Sequence, residues 1–168
     1  HRLTVPGGRS SPDFLGSPSS DVLSDPVAYN LADLFEHTVD SVPDREVLVV
    51  GDERRTYGQL EARANQLAHH LIAEGIRPGD HVGVYGGNSI EWIEAALGAY
   101  KARAVPVNVN FRYVEEELTY LFDNADFKAV VFDRELAPRI RAVRDSDCLA
   151  LPPTVMSSDV AFTSWPRR

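Results

Sequence analysis

Apolar residues in the first half of the chain recur at helical spacing. Thr56-Tyr57-Gly58-Gln59 places a hydroxyl residue three positions before a glutamine, which is the spacing of a capping box at a helix start. Behind it, apolar residues fall at i, i+4, i+7, i+8 and i+11, namely Leu60, Ala64, Leu67, Ala68 and Leu71. This pattern predicts an amphipathic helix that ends near Gly75.

The region before this helix reads as a shorter helix and a hairpin. Leu31, Leu34 and Phe35 lie at helical spacing, and the helix they predict starts near Asn30 and ends by Pro43. The β-rich run 46–50 is closed by the turn signal Gly51-Asp52. Residues 54–56 can therefore pair back on it as the second strand of a hairpin.

The next fifty residues follow a strand–helix–strand rhythm. Strands are predicted at residues 81–85, 104–107 and 129–132. The intervening helices have inward residues Ile90, Trp92, Ile93, Ala96, Leu97 and Tyr100 in the first, and Val114, Leu118, Leu121 and Phe122 in the second. Strands joined by helices of this length pair in parallel through right-handed crossovers. The fold class is therefore α/β, with a layered, parallel-rich sheet and flanking helices.

Composition divides the chain into three parts. Residues 1–27 are rich in Gly, Pro, Ser and Asp and carry few core-forming side chains, so we expect them to be disordered. Residues 28–145 carry the α/β pattern. Residues 146–168 read as an irregular tail, in which a short strand at 159–162 runs into the remnant of a phosphate-binding loop.

Charge and length exclude several classes of protein. The 168 residues carry a formal charge of -8, which argues against a general nucleic-acid binder. No apolar run approaches the roughly 18 residues of a membrane span, and the N-terminal residues lack the apolar core of a signal peptide. Cys148 is the single cysteine, reads as a passive thiol and fits a reducing compartment, so we expect a cytoplasmic protein.

Residues 83–88 place glycines between a predicted strand and a predicted helix, which raises the hypothesis of a nicotinamide-dependent enzyme. The spacing is not G-x-G-x-x-G, and Asn108 and Asn110 stand where an acidic residue should follow the next strand. A tight turn at Gly86-Gly87, with Asn88 and Glu91 capping the next helix, is the favoured interpretation.

Other polar groups before residue 159 read as structural. His69 and His70 are adjacent, so they point about 100° apart on a helix and cannot share a metal ion as i, i+4 partners can. The carboxylates of residues 115–117 open a helix and complement its dipole. We therefore predict no catalytic residue and no metal ligand in this region.

The end of the chain resembles the beginning of a phosphate-binding loop. The strand at 159–162 runs into Thr163 and Ser164, followed by Trp165-Pro166-Arg167-Arg168. Backbone N–H groups converge on a phosphate through conformations that favour glycine, yet no glycine follows Gly98. Thr163 and Ser164 are the candidate cofactor-binding residues, as a remnant of such a loop.

Several segments together resemble the N-terminal part of the adenylate-forming, AMP-binding acyl-CoA synthetases, in the branch that activates fatty or steroid-derived acids. Their order and spacing carry the resemblance, and they are residues 56–60, 65–68, 75–82, 88–91, 105–118 and 159–164. The chain departs from the family at Arg103, where glycine is usual before Ala-Val-x-Val. It departs again at Trp165, where the first glycine of the Thr-Ser-Gly-Thr-Thr-Gly-x-Pro-Lys loop belongs. Alternatively, Gly-Thr-Thr-Gly is lost and Trp165-Pro166-Arg167 corresponds to the end of the loop.

The resemblance implies a partial N-terminal subdomain of the adenylate-forming ligase fold. It also implies ATP, Mg²⁺ and coenzyme A as cofactors, and a fatty or steroid-type acid as substrate. The groups that perform this chemistry in the family lie in the phosphate loop and in later motifs, so we expect this chain to be a fragment that is inactive alone and binds none of these cofactors productively. The alternative is a non-catalytic interaction module that associates with itself or with another chain, because a truncated sheet leaves an apolar face or edge uncovered.

Overall fold

The computed structural model describes residues 30–145 and 154–157. Its helices are α1 (Leu31–Ser41), α2 (Tyr57–Ala73), α3 (Ile90–Lys101), α4 (Glu115–Asn124) and α5 (Ala137–Asp145), with a 3-10 turn at Arg134–Leu136. Its strands are β1 (Glu46–Val50), β2 (Glu53–Thr56), β3 (His81–Gly86), β4 (Val105–Asn110), β5 (Phe127–Phe132) and β6 (Thr154–Ser157). The predicted hairpin and the strand–helix–strand rhythm are confirmed.

The sheet of strands β3 to β6 is parallel, in the order β4-β3-β5-β6. Helices α2 and α3 cover one face of this sheet, and α4 and α5 cover the other. Val82 and Val84 of β3 point to the first face, whereas Tyr85 points to the second, as strand alternation requires. The predicted α/β class, with helices on both faces, is confirmed.

The amino ends of α1 and α2 are fixed by the side chains expected of capping boxes. The Thr56 side chain accepts the Gln59 N–H, and the Gln59 side chain accepts the Thr56 N–H. Asn30 and Asp33 make the same reciprocal pair at the start of α1. All five apolar residues predicted on the inner face of α2 are buried.

Helix α3 is more deeply buried than its sequence suggests, because it lies between α2 and the sheet. Ala95 and Ala99 are buried with the predicted Ala96 and Leu97, whereas Trp92 and Tyr100 are only half-buried. Gly98 lies so close to α2 that an added Cβ would stand 2.7 Å from Leu67 Cδ2. A small residue at this position is what lets the two helices approach.

Several sequence interpretations differ from the structure. Val114 was expected on the inner face of a helix, but it precedes α4 as an exposed cap residue whose N–H donates to Glu117. Helix α5 was not predicted, because its sequence is strongly polar. Among its described side chains Ile140 and Val143 are buried, and Ala137 is partly buried against the same core. Three predictions concern residues outside the described ones: the disorder of residues 1–27, the strand at 159–162 and the passive thiol of Cys148.

Candidate functional site

The carboxyl ends of β3, β4 and β5 meet at one edge of the sheet. From β3 the chain crosses to β4 on one side, and from β5 it crosses to β6 on the other. Strands that leave in opposite directions open a crevice, which is the usual ligand position in a parallel α/β sheet. Here that crevice lies between Gly86-Gly87 and Asp133.

The Asp133 side chain fills this crevice. Its Oδ2 accepts the Gly87 N–H at 2.8 Å, and an added Cβ on Gly86 would stand 2.6 Å from the same oxygen. The cavity that remains measures about 10 Å³, which is at the lower limit for a single water molecule. A phosphate would meet a negative charge and an amide that is already paired, so the crevice does not fit a dinucleotide or the phosphates of ATP.

Three residues, Gly87 to Ser89, connect β3 to α3. The Ser89 hydroxyl accepts the Trp92 N–H at 3.1 Å, so Ser89 and not the expected Asn88 is the cap residue of α3. The reason is position: Asn88 stands one residue too early for its side chain to reach the first free N–H groups of the helix.

Two side chains, Arg139 and Tyr85, hydrogen-bond to the backbone of the loop that follows β4. Arg139 Nη1 donates to the backbone oxygens of Phe111 at 2.8 Å and Tyr113 at 3.1 Å. The Tyr85 hydroxyl donates to the Tyr113 oxygen at 2.8 Å, and its hydrogen bond with Arg139 raises the pKa of that guanidinium. The exposed Phe111 ring, with Arg112 over it, therefore lies on a loop whose backbone is fixed by these hydrogen bonds.

An apolar groove of about 560 Å³ lies between α1, the β1–β2 hairpin, α3 and the outer part of the sheet. We call it the apolar groove, and its walls are Leu31, Phe35, Val47, Leu48, Leu60, Val84, Trp92, Ile93, Ala96, Leu97, Tyr100, Pro106 and Asn108. Its volume is within the range of small-molecule sites, but charged side chains are missing from its walls. It can hold apolar groups, and the polar side chains among its walls are Trp92, Tyr100 and Asn108.

Two ion-pair clusters join the helices near this groove. Glu94 is buried and accepts from Arg63 Nε at 3.0 Å, with Arg55 Nε 4.0 Å away. Lys101 is buried on α3 and binds Glu36 of α1 and Glu61 of α2. Sequence reasoning missed both clusters, although a glutamate within the apolar run of α3 was a signal that Glu94 needs a partner.

The structure does not test the two candidate cofactor-binding residues, and it places the polar groups that were interpreted as structural. Thr163 and Ser164 lie outside the described residues. His69 is exposed and His70 half-buried, and among residues 30–145 and 154–157 no three His, Cys, Asp or Glu side chains cluster as metal ligands. Glu115, Glu116 and Glu117 form the first turn of α4, as expected. None of the helices in the described part combines the length and apolar character of a membrane crossing.

Comparison with known proteins gives concordant matches. The family model described as AMP-binding enzyme matches residues 35–165. The medium/long-chain-fatty-acid–CoA/3-oxocholest-4-en-26-oate–CoA ligase of Mycobacterium marinum is 57% identical over 117 residues, which are 70% of this chain and 21% of that protein. The 3-oxocholest-4-en-26-oate–CoA ligase of Rhodococcus rhodochrous is 44% identical over 141 residues, 83% of this chain and 25% of that protein.

A solved structure shows the same architecture. The anthranilate CoA ligase AuaEII in complex with anthranoyl-AMP superposes with a TM-score of 0.72 at 25% identity, over 79% of this chain and 25% of that chain. The matched region of this chain thus spans about a fifth to a quarter of the length of these proteins.

Proposed function

Because the chain belongs to the AMP-binding enzyme family, we propose that it is the N-terminal scaffold of an acyl-CoA ligase. The ligase would use ATP and Mg²⁺ to activate a fatty or steroid-type acid to an acyl-adenylate, and would then transfer the acyl group to coenzyme A. The observation that carries this proposal is the 57% identity to the Mycobacterium marinum ligase, whose name states both classes of acid.

The described residues support a scaffold and not a catalytic centre. Catalysis of acyl and nucleotidyl transfer needs donors and cations directed at developing negative charge. At the carboxyl edge of this sheet, the Gly87 amide is bound to Asp133 instead. This crevice therefore does not fit the phosphates of ATP, and we assign no chemical step to it.

For the same reason we propose that residues 1–168 are inactive alone. Thr163 and Ser164 would be a remnant of the phosphate loop, in a tail of residues 146–168 that follows the scaffold of residues 28–145. Residues 1–27 would stay outside the scaffold. Coenzyme A, ATP and the acid would bind to other parts of the ligase, and a cytoplasmic location suits these substrates.

A chimeric enzyme tests this function. The 117 matched residues of the Mycobacterium marinum ligase are replaced by those of this chain, and acyl-CoA formation is measured with a medium-chain fatty acid, ATP, Mg²⁺ and coenzyme A. We expect the chimera to form acyl-CoA and the isolated chain to form neither acyl-CoA nor pyrophosphate.

A smaller replacement, of residues 81–110 only, controls for misfolding of the chimera. If both chimeras fold by circular dichroism and neither forms acyl-CoA, the scaffold proposal is wrong. Pyrophosphate release by the isolated chain would disprove its inactivity.

The second candidate function is a non-catalytic module that associates with itself or with another chain. The observation that favours it is the open apolar groove, because monomeric proteins seldom leave large apolar surfaces uncovered.

A further inference from the structure

Helix α1 is attached to the rest of the fold through little apolar burial. Ala32 is its one buried residue, whereas five residues of α2 and seven of α3 are buried. Phe35 is half-buried beside Tyr57 and packs on a small apolar cluster formed by Leu60, Ala64 and Leu97. Because few buried apolar contacts mean a low cost of local opening, α1 should open more easily than α2 or α3.

Ion pairs hold the amino-terminal half of α1. Asp33 accepts two hydrogen bonds from Arg103, in the turn between α3 and β4. One turn further along α1, Glu36 binds Lys101, the last residue of α3. Lys101 is itself buried and also binds Glu61 of α2 at 2.7 Å, so it stays with the helices beneath α1. This half of α1 is therefore fastened by charge more than by apolar packing.

The segment after α1 is anchored differently, by backbone hydrogen bonds to the start of α2. The Pro43 oxygen accepts the Gly58 N–H at 2.8 Å, and the Arg45 oxygen accepts the Tyr57 N–H at 3.0 Å. N–H groups in the first turn of a helix have no partner within that helix, so these two bonds satisfy donors that would otherwise lack one. The approach is close, since an added Cβ on Gly58 would stand 3.3 Å from the Pro43 oxygen. The segment should therefore remain on α2 when α1 moves.

We propose that α1 is a hinged strap over one end of the apolar groove. When the ion pairs of Asp33 and Glu36 break, the helix swings about residues 42–45 and lifts Phe35 from the apolar cluster. Leu31 and Phe35 both line the groove, so this motion widens it while α2, α3 and the four-stranded sheet stay folded. Access of apolar groups to the groove then depends on two ion pairs at its border.

Three buried alanines provide matched probes of this motion. Ala32 lies on α1, Ala64 lies in the cluster under Phe35, and Ala68 lies one turn further along α2 in the core between the helices and the sheet. They are 1%, 0% and 4% exposed. Cysteine at each position, in a Cys148→Ser background, is labelled with a maleimide, and each rate is divided by the rate in the urea-unfolded chain.

The normalised rates should follow the position of the probe. We expect A32C and A64C to label faster than A68C, because they need only local opening of α1. The double substitution E36Q/R103G removes both ion pairs and leaves Asp33 in place, since Asp33 also accepts the Asn30 N–H at the start of the helix. It should accelerate A32C and A64C at least about fivefold and leave A68C unchanged.

Salt and a second ion pair provide controls. NaCl at about 1 M screens exposed charges and should accelerate the same two probes. E46Q removes the pair with Arg54 on the β1–β2 hairpin, where both side chains are more than half exposed, and should change none of the three rates.

Amide hydrogen exchange tests the strap in the chain without any substitution. The N–H groups of α1 should exchange faster than those of α2, and faster again at high salt. The Tyr57 and Gly58 N–H groups should keep their protection, because their partners at Arg45 and Pro43 do not move. Neither this measurement nor the labelling depends on acyl-CoA formation, so the strap and the proposed ligase function fail separately.

Four results would overturn the strap. Equal normalised labelling of A32C and A68C, or equal exchange of α1 and α2, would mean that α1 opens only when the whole chain unfolds. An unchanged A32C rate in E36Q/R103G would mean that charge does not fasten α1. Labelling of A32C without A64C would mean that the motion leaves the cluster covered. Loss of protection at Tyr57 and Gly58 together with α1 would mean that residues 42–45 are not the hinge.

Discussion

Arg103 binds the carboxylate of Asp33 with two guanidinium nitrogens, although the two residues are 70 positions apart. Nη2 lies 2.6 Å from Oδ1, and Nη1 lies 3.0 Å from Oδ2. The contact ties the first turn of α1 to the turn between α3 and β4. Arg103 does this with a φ of 60°, in the left-handed region that normally favours glycine. This backbone conformation explains why the family that the chain resembles usually has glycine at this position.

Replacing Arg103 separates the backbone cost from the ion pair. Arg103→Gly and Arg103→Ala both remove the guanidinium, but only alanine keeps a Cβ in the left-handed conformation. We expect Arg103→Gly to have a free energy of unfolding about 1 kcal/mol higher than Arg103→Ala. Urea denaturation of both variants measures the difference. An equal or lower stability of the glycine variant would show that the backbone conformation at residue 103 does not favour glycine.

The Asp33 contact should also appear in the pH dependence of stability. The hydrogen bond from Arg103, helped by the Asn30 N–H, lowers the pKa of Asp33 from 3.8 to about 2. Since the folded state has the lower pKa, the contact stabilises the fold above about pH 4 and is lost as the pH falls toward 2. Asp33→Asn should therefore flatten the stability profile between pH 4 and 2 relative to the wild-type chain, as thermal unfolding at successive pH values would show. Parallel stability profiles of the two proteins would contradict the lowered pKa of Asp33.

Local sequence signals located the elements that depend on local physics. The Thr56–Gln59 capping box and the inner face of α2 were predicted because the residues that form them are close together in the sequence. Residues 137–145 were missed because they carry few large apolar side chains, and Ile140 and Val143 alone do not produce a clear periodic pattern.

The contacts of the candidate site could not be predicted, because they join residues distant in sequence. The crevice is filled through the bond between Gly87 and Asp133, 46 positions apart, and the burial of Glu94 depends on Arg63, 31 positions away. The groove appears only when α1, the hairpin and β4 are assembled. Thr163 and Ser164 remain predictions.

Substitution of Gly86 tests how tightly Asp133 fills the crevice. A Cβ at this position would meet the Asp133 carboxylate at 2.6 Å, whereas Gly87 has no atom within 4 Å of the equivalent position. We expect Gly86→Ala to lower the free energy of unfolding by about 1–3 kcal/mol. Gly87→Ala should change it by about 0.5 kcal/mol or less. Chemical denaturation checks both, and a smaller effect of Gly86→Ala when Asp133 is shortened to Ser would identify the clash.

Because the carboxylate of Glu94 is buried, removing its arginine partner should cost more stability than removing the partner of an exposed carboxylate. Arg63→Ala leaves Glu94 with only the more distant Arg55, so we expect a loss of about 1–3 kcal/mol. Arg54 pairs with Glu46 where both side chains are more than half exposed, and Arg54→Ala should cost about 0–1 kcal/mol. Urea denaturation compares the two variants. Equal losses would mean that burial of Glu94 does not strengthen its dependence on Arg63.

Gly98 provides a test in which packing and helix propensity predict opposite signs. In an exposed helix, glycine to alanine stabilises by about 1 kcal/mol. At Gly98 the new Cβ would approach the Leu67 side chain to 2.7–2.8 Å, so α2 and α3 would have to separate. We therefore expect Gly98→Ala to destabilise the chain by about 1–3 kcal/mol. Leu67→Ala should itself destabilise, and in that background Gly98→Ala should become neutral or stabilising, because the clash is gone and the propensity gain remains. A double-mutant cycle from urea denaturation measures this coupling, and strictly additive effects would show that the close approach of the two helices is not what requires glycine.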